Sequence, residues 1–439
     1  MAPTKKQLKE MAIQAIERNR DKIIAYGDSI FDEPELGYKE YKTAKKTKKV
    51  FEELGIPYRD KVALTGVTGT LKGGSSKATI ALMGELDAVI TRAHTAADPE
   101  TGAAHTCGHN CMMAGLIGAA YGLVGTGVMK YLDGNVELMA VPAEEFVELE
   151  YRRTLIKEGK ISCYNGKQEL VLIGELDHID MVVMQHNGAG TGDGILACAG
   201  YTTIGARGKI IQYLGKAAHA GAAPHLGINA LNAAKIGLMA VDAQRETFQD
   251  KDSIRVHPVI TKGGDLVNVV PDDVRIETYV RGNNLEAIVD AEKKVDRAFM
   301  AGAAAVGAEC IIDTLPGSLP FLPYDVFMNV FHANLVELLG EDKVVNLGAP
   351  LKGGTDASDL SYIMPTIHAG FAGVEGALHS KEFEIVDRDL AYLAVAKVYV
   401  MTVIDLLYDG AAVAQEVKAK FKPVWTKKEY LKEWVNIEI

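Results

Sequence analysis

"ATIALMGELDA", residues 78–88, is an apolar run that turns acidic at its carboxyl end. Two later stretches repeat the theme, "NVELMAVPAEE" (135–145) and "DMVVMQHNGAG" (180–190). Each reads as a strand buried on both faces that delivers acidic or imidazole groups where it stops. Between the first two lies "CMMAGLIGAAYGLVG" (111–125), with the length and small-residue content of a helix packed on a sheet. The pattern is α/β, and its polar residues fall at the carboxyl ends of strands, where open α/β sheets place their ligands.

The texture changes near Gly200. A strand ("ARGKIIQYLGK"), a helix ("NALNAAKIGLMAVDAQRE") and two strands ("SIRVHPVIT", "DVRIETYVRG") are followed by a second helix and a last strand, "AECIIDT". This β-α-β-β-α-β order is the ferredoxin-like arrangement. It predicts an inserted domain over 200–314, dividing an α/β domain into residues 1–199 and 315–439, and a length of 439 residues favours two domains over one core. The tail "KAKFKPVWTKKEYLKEWVNIEI" reads as a solvated basic helix with a few anchoring aromatics.

With 48% hydrophobic and 24% charged residues the composition is that of a globular protein, and the net charge of -11 argues against a sequence-independent partner such as nucleic acid or an anionic membrane. A small-molecule ligand is expected instead. Neither a secretory signal nor a run of about 18 uncharged apolar residues is visible, so no membrane span is expected. Five scattered cysteines fit a reducing, cytoplasmic setting better than a disulfide scaffold.

Chemistry concentrates in "AAHTCGHNCMM" (103–113). Cys107 and His109 flank a glycine and can face one ion if the backbone between them is not helical; thiolate and imidazole suit zinc and other late divalent metals. A C-x-H pair is also what a buried thiol beside a helix-capping residue looks like, or a thiol nucleophile with its base. Glu144 and Glu145 follow a buried strand, where neighbours point to opposite sides, so one carboxylate can ligate while the other reaches a water. His186 ends the third strand, His379 sits in the Gly-flanked "GALHSKEF", and Asp87 can orient a ligand from behind. In the inserted domain, "GKAAHAGAAPHLGINA" holds His219 and His225, one of which could reach over the site to polarise a carbonyl. Asn268 is a neutral donor on a loop, and Arg281 suits a substrate carboxylate because its planar fork donates two parallel hydrogen bonds. Each residue alone has an ordinary structural reading; four strand or loop ends converging on one crevice make coincidence the weaker explanation.

As a set, "EPELGYKEYKTA", "GELDAV", "HTCGHN", "PAEE", "HAGAAPHLGINA", "VNVVPDD" with "VRG", "GGTDASDL" and "LHSKEF" resemble the amidohydrolase branch of the dinuclear metallopeptidase family. That family includes acetylornithine deacetylase, succinyl-diaminopimelate desuccinylase and aminoacylases; the branch includes hippurate, auxin-conjugate and aminobenzoyl-glutamate hydrolases. The resemblance implies a mixed-sheet catalytic domain carrying an inserted lid and dimerisation domain. It implies two divalent ions, manganese or zinc first, then cobalt or nickel, bridged by Cys107 and completed by His109, Glu145, His186 and His379. Glu144 would be the general base and acid, and His219 would stabilise the oxyanion, reaching into a neighbouring subunit of a homodimer or larger oligomer. Asn268 and Arg281 would hold the substrate carboxylate. Two departures bear on the substrate: "NCMM" stands where many branch members carry a further Asp and His, and the segment 146–178 is long and charged.

The expectation is a metal-dependent hydrolase that cleaves the amide C–N bond of an N-acyl or N-aroyl amino acid. Its rivals are deamination of an activated amine at the same site, and a metal-binding protein without turnover, which would have no need of Glu144.

Overall fold

The computed structural model describes residues 2–438. Its first sheet begins with β1 (Tyr58–Val62) and β2 (Gly66–Leu71) and continues through β3 (Thr79–Glu85), β4 (Asn135–Val141), β5 (Met181–Asn187) and β6 (Ala197–Gly200). The chain then builds a second sheet from β7 (Gly205–Leu214), β8 (Arg255–Val256), β9 (Val259–Lys262), β10 (Asp273–Gly282) and β11 (Glu309–Ser318). It returns to finish the first with β12 (Val344–Leu347) and β13 (Thr366–Phe371). Across the first sheet the order is β1-β2-β4-β3-β5-β13-β6-β12. The four central strands β4, β3, β5 and β13 are mutually parallel, with antiparallel pairs toward both edges. The mixed α/β class expected from the sequence is the one observed.

Burial explains the run of apolar residues. In β3, β4 and β5 nearly every side chain is buried, because helices cover both faces of the sheet. The helix His109–Val124 lies in the main core against Val395–Leu407, and a methyl group added at Gly118 would meet Ala396 Cβ at 2.5 Å, so glycine sets how closely the two can pack. One helical run, Asp389–Leu407, is apolar and long enough to cross a membrane by composition alone, but 83% of it is buried inside this core.

In the second sheet the order is β8-β10-β7-β11 with every pairing antiparallel, and β9 also pairs with β10. The helices Ala230–Ala243 and Leu285–Val306 cover one face through Ala233, Ala234, Val295 and Phe299. The single strand expected from "SIRVHPVIT" is instead two, β8 and β9, interrupted at His257 and Pro258. Proline has no N–H to give the ladder, and it falls on an edge. The last strand runs to Ser318 rather than ending near 314.

The tail differs from the solvated helix expected of it. Tyr430, Leu431 and Trp434 are fully buried in a cluster with Leu170, Val171 and Leu360. Tyr430 donates to Asp359 Oδ2 at 2.6 Å. Arg207 of β7 lies 3.9 Å over the Trp434 ring and donates to the Trp434 carbonyl at 2.7 Å, which ties the second sheet to the first. Truncation of so large a buried ring costs about 3–5 kcal/mol. Trp434→Ala is therefore expected to lower the urea midpoint clearly, and an unchanged midpoint would show that the tail is dispensable.

Candidate metal centre

Because β4, β3 and β5 are parallel and adjacent, their carboxyl ends bring Glu85 and Asp87, Glu144 and Glu145, and His186 to one edge of the sheet. Two local conformations complete the convergence. Gly108 is left-handed at φ 82°, which lets Cys107 and His109 face the same space while His109 starts its helix. Ala143, fully buried, is also left-handed at φ 53°, a strained state for a residue with a Cβ, and its N–H is held by Glu40 at 2.8 Å.

Cys107 Sγ lies 3.2 Å from His186 Nε2 and 3.2 Å from His379 Nε2. His379 Nε2 is in turn 3.1 Å from Glu145 Oε1. Cys107 thus belongs to two donor sets, one with His109 and His186 and one with Glu145 and His379, and within each set the donor atoms lie no more than 4.8 Å apart. His109 Nδ1 donates to the Asp87 carbonyl at 2.8 Å and lies 3.3 Å from Asp87 Oδ1, which fixes the ring and leaves Nε2, buried and without a hydrogen bond, pointing into the cluster. Asp87 also accepts the Glu145 N–H at 2.9 Å. Sulfur, imidazole and carboxylate donors at these spacings, with an orphaned imidazole nitrogen among them, fit divalent ions.

The electrostatics are those of a crowded, buried cluster. Burial raises the Cys107 thiol, but His186 and His109 outweigh it and hold the pKa well below the ordinary value. His379, penalised by burial yet bonded to Cys107 and Glu145, is pushed up to about 11. Burial, with Glu85 and Glu145 nearby, holds Glu144 well above the carboxylate range. Burial and the Cys107 thiolate raise Glu145 to about 7.

Sequence reasoning did not single out Glu85, whose Oε2 is 3.0 Å from His109 Nε2. Its position at the end of β3, two residues before Asp87 in an extended stretch, was the available signal. Nor did it find what the segment 146–178 contributes. Arg152, fully buried, donates to the carbonyls of Glu145 and Tyr164 and stacks near the Tyr38 ring. Lys167, also fully buried, bridges Glu85 and Asp356. The charged segment thus supplies two buried cations behind an acidic site.

Beside the cluster opens a cavity of about 480 Å³, bounded by Glu144, Glu145 and His379 on one side and by Arg281 and Lys352 on another. Phe146 and Tyr279 form an aromatic wall, their ring centroids 5.9 Å apart. Of the residues expected at the site, Asp87, Cys107, His109, Glu144, Glu145, His186 and His379 are together, and Arg281 lines the cavity. His219 and Asn268 are not there. Both are exposed on neighbouring loops of the second sheet, where the Asn268 carbonyl accepts the Ala220 N–H at 2.9 Å.

Residues 81–405 match the model of Peptidase family M20/M25/M40. The chain is 25% identical to an Xaa-Arg dipeptidase of Mus musculus, across 94% of this chain and 92% of that protein. It is 26% identical to the IAA-amino acid hydrolase ILR1-like 4 of Arabidopsis thaliana, across 83% and 81% respectively. The fold is shared with an aminobenzoyl-glutamate utilization protein from Klebsiella pneumoniae, at a TM-score of 0.69 and 18% identity over 90% of this chain and 98% of that one. With the family model spanning most of its length and a thiolate–imidazole–carboxylate cluster at its centre, the chain belongs to peptidase family M20/M25/M40 and is a metal-dependent amidohydrolase.

Proposed function

We propose that the chain hydrolyses the amide C–N bond of a small N-acyl or N-aroyl amino acid, with two divalent ions shared through Cys107. The observation that carries this reading is Cys107 Sγ at 3.2 Å from each of His186 and His379, with His109 and Glu145 completing a donor set on either side. The amide-cleaving relatives, a dipeptidase and an IAA-amino acid hydrolase, support the bond and the carboxylate-bearing substrate class.

When bound, two such ions lower the pKa of a shared water and polarise the scissile carbonyl. The protein supplies the rest. Glu144 accepts the proton of the attacking water and returns it to the leaving nitrogen, and its crowded surroundings raise its basicity for that task. Arg281 has lost hydration to burial and stacks 5.0 Å over Tyr279, ready for a substrate carboxylate. His219 and Asn268 act from a second copy of the chain, docked through the exposed edge of the second sheet, with His219 donating to the oxyanion. Scattered reduced cysteines suit a cytoplasmic enzyme.

Elemental mass spectrometry of wild type and Cys107→Ala, with hydrolysis assays on N-benzoyl and N-acetyl amino acids, tests the reading. About two manganese or zinc ions per wild-type chain, fewer in the variant, and chelator-reversible release of acid plus amino acid are expected. Absence of bound metal after reconstitution, or ammonia as the product, would overturn it.

A further inference from the structure

A second cavity, about 1190 Å³ in volume, adjoins the catalytic one, and Arg281 and Lys352 line both. Arg255 and His257 line the second cavity as well, and Glu286 is the one acidic residue on its described walls. Among the described residues none of the four basic side chains has a carboxylate within 4.0 Å. On a chain of net charge -11, a cleft with four basic groups and one acid is an anomaly of distribution.

The register sharpens it. Arg255 on β8 is paired directly with Arg281 on β10. Residues opposite one another across antiparallel strands have Cβ atoms about 5 Å apart, and like charges placed so destabilise the sheet. Elsewhere on the same sheet the basic residues are matched: Lys209 lies between Glu292 and Asp296, and Lys262 and Arg275 both reach Asp273. The Arg255–Arg281 pair is left without such a partner; Arg281 lines both cavities and Arg255 the second. An anion bridging the guanidinium groups would remove the repulsion, and a planar fork is suited to a carboxylate.

We infer that Arg255, with Lys352 and His257, forms an anion subsite beyond Arg281 that receives a second carboxylate on the amine half of the substrate. The preferred substrate is then an N-acylated dicarboxylic amino acid. This rests on the amide-hydrolase reading above and deepens it. Arg281 takes the α-carboxylate, the outer group takes the side-chain carboxylate, and the acyl half faces Phe146 and Tyr279 beside Glu145.

The test uses N-benzoyl-glutamate and its neutral isostere N-benzoyl-glutamine. kcat/KM is measured on manganese-loaded wild type and Arg255→Gln, and affinity is measured calorimetrically on the Glu144→Ala forms of both. In wild type the glutamate compound is expected to lead by at least about fivefold in kcat/KM and in affinity, the scale of one solvent-accessible ion pair. In Arg255→Gln the ratio falls toward one while Tm does not fall, because a like-charge pair has been removed. A residue with only a structural role would lower Tm and leave the ratio alone. Both amides cleaved with equal kcat/KM by wild type, or a ratio unmoved in Arg255→Gln, overturns the subsite and leaves the hydrolase standing. Failure of metal-loaded wild type to cleave or bind either amide overturns the hydrolase reading, and the subsite falls with it.

Discussion

Glu144→Ala is expected to lower kcat by about a thousandfold, the middle of the range for a positioned acid–base group, while metal content per chain stays at the wild-type level. The separation of these two readouts follows from geometry. Glu145 stands 3.1 Å from His379 in a donor set with Cys107, whereas Glu144 lies 3.8 Å from His109 in a set with Glu85 that does not include the cysteine. On the proposed mechanism the adjacent pair of carboxylates is divided between holding the metal and proton transfer. Removing Glu144 also removes one of several acids that burial and mutual repulsion hold above their ordinary range. The metal-free variant should therefore unfold no earlier than metal-free wild type, so lost turnover is not lost folding. Elemental mass spectrometry, steady-state kinetics and a thermal melt decide it. Normal turnover in the variant would remove Glu144 from the mechanism, and loss of metal with unaltered folding would make it a ligand.

Much of this is legible in the sequence. The buried strands announce themselves because a parallel strand covered on both faces has no polar residue until it ends, and its end is where ligands gather. Glu144, Glu145 and His186 could be read from that rule, Cys107 and His109 from their spacing about a glycine, and His379 by the resemblance of its motif. What could not be read is pairing across long separations. Lys167 finds Glu85 and Asp356 at sequence distances of 82 and 189 residues, and nothing local in "NGKQEL" distinguishes a buried cation from a surface one. The tail misled for a related reason: its lysines reach solvent while Tyr430 and Trp434 are wholly buried, and a basic aromatic helix gives the same pattern in either setting. His219 and Asn268 belong to a different class of difficulty, since on the proposed reading they act from a second copy, and one copy's contacts do not contain such a site.

Lys167→Met is expected to destabilise the protein by about 3–5 kcal/mol, the cost of breaking a buried ion pair from one side. Lys167 Nζ is fully enclosed between Glu85 and Asp356, and its backbone N–H also donates to Asp356 at 3.1 Å, so the variant strands two buried carboxylates. The loss has a direction in pH. Burial raises Asp356 to about 7 even beside Lys167, which lowers it. Without the lysine its folded pKa rises further. A carboxyl group whose folded pKa exceeds its unfolded one loses stability as pH rises between the two values and keeps the full penalty above the higher. At pH 5 Asp356 is protonated in both folded proteins, and only the lost ion-pair geometry separates them. Above pH 7 the wild type has paid its penalty in full while the variant continues to lose stability, by up to about 1.4 kcal/mol per pH unit. Paired urea titrations at pH 5, 7 and 8, with m-values compared to establish that the same surface unfolds, measure this gap. A gap that widens from pH 7 to 8 identifies Lys167 as the counter-charge of the acids behind the metal ligands. A constant gap, or one that narrows, would mean that Glu85 and Asp356 share a proton between themselves and that the lysine is held by them rather than holding them.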